Sequence, residues 1–533
     1  MPSRALIERA ERLRRRGTPH KALSLLTAGL NQPHSGEAWL RLKRAECYSD
    51  LARWELAEKE SRKALQAGMM NATPILARSL LELQRAHEAA TILECHCWGN
   101  PDNSRDWALY ARALSAASRH DDAIRAMARA RTSDPNLTID MSDILIAAGK
   151  HTDNIALIRH ELGLLQGEPS RANPSGGTGA SEQARLWTNL GFSLSALGES
   201  APAVNAFNQA LGIDPKLPGA RWALGVCLLR LGLFEEGFAC HEHRQKAAGE
   251  CRRLGVKPWC GEPLFGKHLV VTIEQGFGDT VQFIRFLPQA RRLARSTTLI
   301  APPNIERVLS SNPDFGELRT THPGFGFGDY QTLIMSLPHR LGVAGNLEQN
   351  MGPCPYLFAE PALVAEWRRR LPQGLKIALV WQGNPAYGGD RWRSMPFTYY
   401  EPLVARFKKG VTFLSLQKHF GREQLESSLV RDHVLDLGDE IDNGSDSFVD
   451  SLAILSLVDL FITTDTGLAH LAGAAGVRTW LLLGAVADWR WGIDQRHSLW
   501  YPTMRLFRQS PTGDWSGVIE QVMITLDSQA QRA

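Results

Sequence analysis

Residues 461–477 read FITTDTGLAHLAGAAGV, an apolar run that stops at Asp465, Thr466 and Gly467 and passes at once into a small-residue helical pattern. An acid, a hydroxyl and a glycine at such a junction allow two kinds of chemistry. Thr464, Asp465 or Thr466 can cap the free amides of the first helical turn. The same junction can hold an anion, because exposed amides and the positive end of the helix dipole attract phosphate, and a glycine lets backbone come close. Two further junctions carry polar residues for which a packed core has no use. In IEQGFGDTVQFIRF (273–286), Gly276 and Gly278 form a tight turn after an apolar run, and Asp279 opens the next helix. A lone G-x-G is a weak signal, and a glycine turn with an aspartate cap reads the same way. In GNPAYGGDRWRSMP (383–396), Arg391 and Arg393 follow the run KIALVW. Fixed guanidinium groups there suit a diphosphate, although a single loop arginine is more often simply solvated.

Such junctions need strands to hold them, and the chain supplies these after residue 250. LVVTI (269–273), TTLIA (297–301), YQTLIMS (330–336), KIALVW (376–381), TFLSL (412–416), LFITT (460–464) and TWLLLG (479–484) are short apolar runs with helical segments between them. Buried parallel strands have this composition, so the region is expected to be α/β. LVAEWRRRLPQGLK (363–376) reads as a connection between two such units. The expected architecture is two Rossmann-like halves facing a cleft, one over 255–365 and one over 372–533.

The first 240 residues follow another period. Trp187, Leu190, Gly191, Leu194, Ala203, Phe207, Ala210 and Pro215 match the 34-residue tetratricopeptide pattern. Small residues at Gly191 and Ala203 let two helices cross closely, while Trp187, Leu190 and Phe207 fill the space between neighbours. Similar small pairs recur as Ala10/Ala22, Ala45/Ala57, Ala77/Ala89, Ala111/Ala123 and Gly225/Gly237, and Pro135 and Pro215 stop the second helix of their units. A degenerate unit is expected near 138–162 with Gly149 at its turn. The register predicts an α solenoid over 1–245. GEPSRANPSGGTGASEQ (167–183) reads as a flexible insertion within it, and a plain surface loop is its commoner meaning. The segment 222–243 closes the solenoid, and its final helix is placed to dock on the α/β region.

Composition narrows the classes. At 533 residues, 44% hydrophobic and 22% charged, the chain has the make-up of an ordinary globular protein with roughly three domains. A net charge of +4 shows no strong pull toward nucleic acid or a membrane surface. No run approaches the ~18 uncharged apolar residues of a membrane helix, and the arginine-rich start, interrupted by Glu8 and Glu11, lacks the apolar core of a signal peptide. Eight scattered cysteines suit a reducing cytoplasm better than a disulfide framework. ECHCW (94–98) and CHEHR (240–244) fall inside helical repeats with too few ligands at zinc spacing, so no metal site is expected.

Taken together, EPLFGKHLVVTIEQGFGDTVQFIRF, LVWQGNP, DRWRSMPF, FLSLQK, DLFITTDTGLAHLAGAAGV, DWRWG and WYPTMRLFRQ resemble one family. It is the bacterial tetratricopeptide-fused glycosyltransferases related to the lipopolysaccharide heptosyltransferases, and the resemblance covers nearly the whole chain. It implies a GT-B fold in which the N-terminal half holds the acceptor and the C-terminal half the nucleotide-sugar donor, with no cofactor or metal beyond that substrate. It implies Asp279 as the base and Arg393 as a phosphate contact. Asp465, Thr466, Gly467, Leu468 and His470 would line the donor, and Gln417 and Lys418 would meet the nucleotide or its phosphates. On that footing Asp279 takes the acceptor hydroxyl's proton, while the amides of Thr466 and Gly467, with Arg393 and Lys418, meet the charge growing on the leaving diphosphate. The heptosyltransferase members carry an Arg- or Lys-rich loop of different length in this half, so the resemblance does not extend to heptose as the donor sugar.

The implied acceptor is a protein such as flagellin, recruited by the repeats. A surface-polysaccharide or lipopolysaccharide acceptor shares the catalytic half, and a non-catalytic tetratricopeptide scaffold is the alternative from another class. Asp279, Arg393 and the Asp-Thr-Gly triplet together favour an enzyme. Trp489, Trp491 and Trp500 in the aromatic tail could stack on base or sugar, but such runs more often staple a C-terminal segment onto the fold.

Overall fold

Alanines spaced to face one another organise the first part of the chain into helical hairpins. Arg4–Arg15 pairs with Pro19–Leu30, Glu37–Asp50 with Trp54–Gln66, Thr73–Glu82 with Ala86–Gly99, Ser104–Ala116 with His120–Ser133, and Thr138–Ala147 with His151–Glu161. Ala10, Ala22, Ala45, Ala57, Ala77, Ala89, Ala111 and Ala123 are all buried, so each small residue sits where two helices approach most closely. The turn inside a hairpin is closed by a residue of positive φ, and at Ala52, Gln84 and Ser118 that residue is not glycine. Packing of the two helices therefore overrides a left-handed penalty of roughly 1 kcal/mol at each of these turns. The degenerate unit is present as its own hairpin, with Gly149 at the turn at φ 70°. Helices Ala180–Ala196, Ser200–Ile213, Pro218–Arg230 and Phe234–His241 follow.

This computed structural model describes residues 4–31, 36–163, 179–244, 255–321 and 324–530. Residues 167–178 of the expected insertion lie outside the described residues, and 180–183 already belong to a helix. The chain divides into two compact units, Met1–Ala196 with Gln209–Pro215, and Leu197–Asn208 with Lys216–Ala533. The boundary expected between 245 and 255 falls on residues outside the described ones, after the last hairpin. That hairpin is tight in itself: a Cβ on Gly225 would lie 2.8 Å from His241 N and 2.9 Å from Gly237 O. Its outer face is apolar, and Leu229 and Phe238 share one core with strands and helices of the α/β region.

The first sheet is formed by β1 (Lys257–Pro258), β2 (His268–Thr272), β3 (Ser296–Ile300), β4 (Glu317–Arg319) and β5 (Tyr330–Leu333). Its order is β1-β5-β2-β3-β4, with every pair parallel and Val270 opposite both Thr298 and Gln331. The second comprises β6 (Lys376–Val380), β7 (Thr412–Ser415), β8 (Val434–Asp436), β9 (Leu460–Thr464), β10 (Thr479–Leu483) and β11 (Met504–Arg508). Its order, β11-β10-β9-β6-β7-β8, is again all parallel and is the Rossmann order. Every residue of β9 and β10 is buried, as central parallel strands covered on both faces require. An α solenoid followed by two Rossmann-like halves is thus the architecture. Among the described residues no helix is long and apolar enough to cross a membrane.

Candidate functional site

Strand order reverses between β6 and β9 in the second sheet and between β2 and β5 in the first. Crevices at the carboxyl ends of strands at such points are where open α/β sheets bind ligands. The loop after β9 carries Asp465 and Thr466 into the helix Gly467–Ala474, and the loop after β6 runs through Gly383 to Arg393. The loop after β2 carries Glu274 and Gln275 into the helix Phe277–Ile284. The two helix starts meet across the halves: a Cβ on Gly278 would lie 2.7 Å from His470 Cδ2, and one on Gly467 would lie 3.2 Å from Phe277 Cδ1.

The two readings of these junctions part company here. Asp279 is a cap, since its Oδ2 accepts the Gly276 N–H at 2.9 Å. Thr466 is not: it occupies the N-cap position, yet its side chain makes no capping bond and lies 3.4 Å from the Thr463 hydroxyl. The helix start after β9 therefore keeps its amides free of side-chain caps, and the buried Thr464 hydroxyl has no partner. The glycine turn also differs from expectation. The residue of positive φ is Gln275 at 58°, while Gly276 is extended and Gly278 lies within the helix, where its missing side chain makes room for His470.

Arg393 stands half-buried on the loop after β6, with its Nε donating to Asp390 at 3.1 Å and its guanidinium 4.8 Å from the Tyr387 ring centroid. Asp465 is half-buried, and its carboxyl is pushed up to about 6, by burial first and by Asp488 second, with Trp491, Arg393 and Arg490 pulling the other way. Burial, helped by the charge of Arg490, holds His470 down to about 3. Its ring is buried, shares a 2.9 Å hydrogen bond with Tyr501 and lies 5.2 Å from Trp491. His470 is thus a neutral packing residue between the halves. Leu468 is partly buried against the main core.

Two expected ligands are occupied by the protein itself. Gln417 is buried, its Oε1 accepting from the N–H groups of Trp381 and Gln382 at 3.0 and 3.1 Å, its Nε2 donating to the carbonyls of Gln382 and Phe420 at 2.9 and 2.7 Å. Lys418 Nζ donates to the carbonyls of Ile441 and Asp442 and to Asn443 Oδ1, the last two at 2.9 and 2.8 Å. An ammonium has three N–H bonds, so none remains for a phosphate. Both residues fasten loops beside the crevice.

Arg490 was not singled out by sequence reasoning. Its Nη2 pairs with Asp279 Oδ1 and its Nε with Gln282 Oε1, both on the helix Phe277–Ile284, and its Nη1 donates to Asp488 at 2.9 Å. Burial opposes its charge, yet Asp488, Asp279 and Asp465 together raise its pKa. Burial likewise pushes Asp488 up, but Arg490 overrides it and holds that carboxyl below its usual value. The only sequence signal was Asp488 and Arg490 within DWRWG, where the tryptophans drew attention. Trp489, Trp491 and Trp500 are all buried, and Trp489 lies 5.8 Å from Phe238, so they staple the fold.

At the first sheet's reversal point, the buried Glu274 accepts from Arg244 at 2.5 and 3.0 Å and from the Met335 N–H at 3.2 Å. Burial raises its carboxyl, against the pull of Arg244. Arg244, just beyond the last repeat helix, thereby anchors the loop that leads to Asp279. The assembled groups can hold an anion at one helix start and place a carboxylate at the other. Among the described residues no cluster of His, Cys, Asp or Glu has the form of a metal site.

A family model for the tetratricopeptide repeat matches residues 184–217. Among curated proteins, Protein FlbA of Caulobacter vibrioides is 25% identical over 490 residues, 85% of this chain and 77% of that one. Similar solved structures include YrrB, a tetratricopeptide protein with an unusual peptide-binding site, at 17% identity and a TM-score of 0.25 over 40% of this chain and 88% of that one. The E. coli ADP-heptose lipopolysaccharide heptosyltransferase II is similar at 12% identity and a TM-score of 0.35, over 50% of this chain and all of that one. The matched repeat and the chain's own sheets together give a tetratricopeptide-type helical region followed by a parallel α/β region.

Proposed function

We propose that the protein is a glycosyltransferase that moves a sugar from a nucleotide-sugar donor to a protein acceptor recruited by its helical repeats, acting in the cytoplasm. The observation that carries this reading is the helix start after β9, which lacks a side-chain cap, lies at the reversal point of a Rossmann-ordered sheet and follows Asp465, on which the charge of Arg393 acts. Such a start suits a diphosphate. On this reading the amides of Thr466 and Gly467, with Arg393, meet the charge of the leaving group, a role that asks for no metal ion. Asp279, on the opposing helix, is the base. Asp465 and Thr466 orient the donor, Gln417 and Lys418 support the loops around it, and flagellin is the first acceptor to try.

Titration calorimetry with UDP, GDP, ADP and CMP tests the donor half of this reading. One nucleotide should bind, and Arg393→Ala should weaken it by roughly 1 to 3 kcal/mol, the range of a charge-assisted hydrogen bond, with little change in melting temperature. No binding by the whole panel would sink the transferase reading and leave the scaffold alternative.

A further inference from the structure

Arg490 is nine-tenths buried and joins the two halves at the site. It holds Asp279 and Gln282 on the first half's helix and Asp488 on its own half, and its charge also reaches Asp465 and His470. The ring of Trp489 lies 4.5 Å from the guanidinium carbon. Asp279 is consequently engaged at both oxygens, Oδ2 by the Gly276 N–H and Oδ1 by Arg490. A carboxylate base must offer a lone pair to a hydroxyl, and a guanidinium on that oxygen covers it. Asp279 in this state is masked.

The surrounding charges indicate what unmasks it. Arg490 is ion-paired with Asp279 and Asp488, and the charge of Asp465 acts on it as well. A diphosphate at the helix start beside Asp465 brings more negative charge than any of them and accepts a guanidinium in two-pronged fashion. We propose that Arg490 is a donor-responsive latch: the arriving diphosphate draws its Nη2 away from Asp279, with the Nη1 bond to Asp488 as the pivot, and so frees the base only when donor is present. The proposal rests on the nucleotide-sugar reading above. In the step it licenses, the acceptor oxygen forms its bond to the anomeric carbon and gives its proton to Asp279 Oδ1. The bond from that carbon to the diphosphate breaks, and its electron pair leaves on the phosphate oxygen now facing Arg490.

The latch makes an unusual demand on Asp279→Asn. Removing the competing anion should tighten binding of the nucleoside diphosphate, by about 3- to 10-fold in calorimetry, even as transfer falls by at least ~10²-fold. An ion pair that merely holds the halves together predicts unchanged or weaker binding, and that result overturns the latch. Arg490→Lys, which keeps the charge but cannot span Asp488 and a phosphate together, should weaken binding about 10-fold. Unchanged affinity in this variant also overturns it, and provides the answer should Asp279→Asn fail to fold. Where the native chain binds a nucleoside diphosphate but neither variant behaves as stated, the donor reading survives and the latch does not; where the native chain binds none, both fall.

Discussion

Asp465 bears a cost that an asparagine would avoid. Its carboxyl is pushed up to about 6 by burial and by Asp488, so the folded protein holds the proton to higher pH than the unfolded chain does. A raised carboxyl contributes stability that is fully present below the unfolded value of about 4 and is lost as pH rises through the folded one. Above pH 6 the charged side chain therefore opposes folding. Asp465→Asn should raise the melting temperature at pH 8, by an amount equivalent to roughly 1 to 3 kcal/mol, and leave it nearly unchanged at pH 4. Scanning calorimetry at the two pH values decides it, and an unchanged melt at pH 8 would mean the charge is not strained. A destabilising acid at the point where strand order reverses is what a functional site is expected to show. Lys418 and Gln417 show the reverse: every polar atom they offer is matched within the protein, so their contribution is to fold geometry.

At the scale of elements, the decisive contact is between two short helices that belong to different sheets. Phe277–Ile284 and Gly467–Ala474 can meet because Gly278 has no side chain where His470 lies, and His470 is fixed by Tyr501 and Trp491. Gly278→Ala places a methyl 2.7 Å from a ring that cannot move aside. Overpacking of that kind typically costs about 1 to 3 kcal/mol, and here it also pushes the two helix starts apart. Thermal melts should show the loss, together with weaker nucleotide binding. Gly276→Ala is the control: its backbone is extended and an added Cβ meets only Asp279 Oδ2 at 3.4 Å, so it should be close to neutral. Equal behaviour of the two variants would refute the account.

At the scale of the whole molecule, the second compact unit begins in the last repeats. Phe238 packs on Phe283 at 6.1 Å, and Arg244 neutralises the buried Glu274. A chain starting at residue 250 would strand that carboxylate without its partner, a loss of about 3 to 5 kcal/mol, and expose the apolar surface Phe238 covers. It should express as aggregate or melt well below the full protein. A chain starting at residue 180 keeps these contacts and should bind nucleotide as the full chain does. Equal solubility and melting of the two would show that the last hairpin is dispensable.

Sequence alone determined whatever repeats or alternates locally. Hairpin positions followed from small residues at fixed spacing, and all seven interior strands, β2, β3, β5, β6, β7, β9 and β10, stood out as apolar runs because both their faces are covered. The four strands it missed, β1, β4, β8 and β11, are the sheet edges, where one side lacks a neighbour and no continuous apolar run is needed. The junctions at Asp279, Arg393 and Asp465 were legible because polar residues interrupt periodic patterns there. Tertiary structure alone decided their partners. Arg490 meets Asp279 from 211 positions away, Lys418 is claimed by a loop 23 to 25 residues on, and His470 is stripped of water and neutral. Periodicity records which face of an element is buried, whereas a side chain's hydrogen bonds and charge depend on what another element brings within about 3 Å, and that is settled only when the sheets are packed.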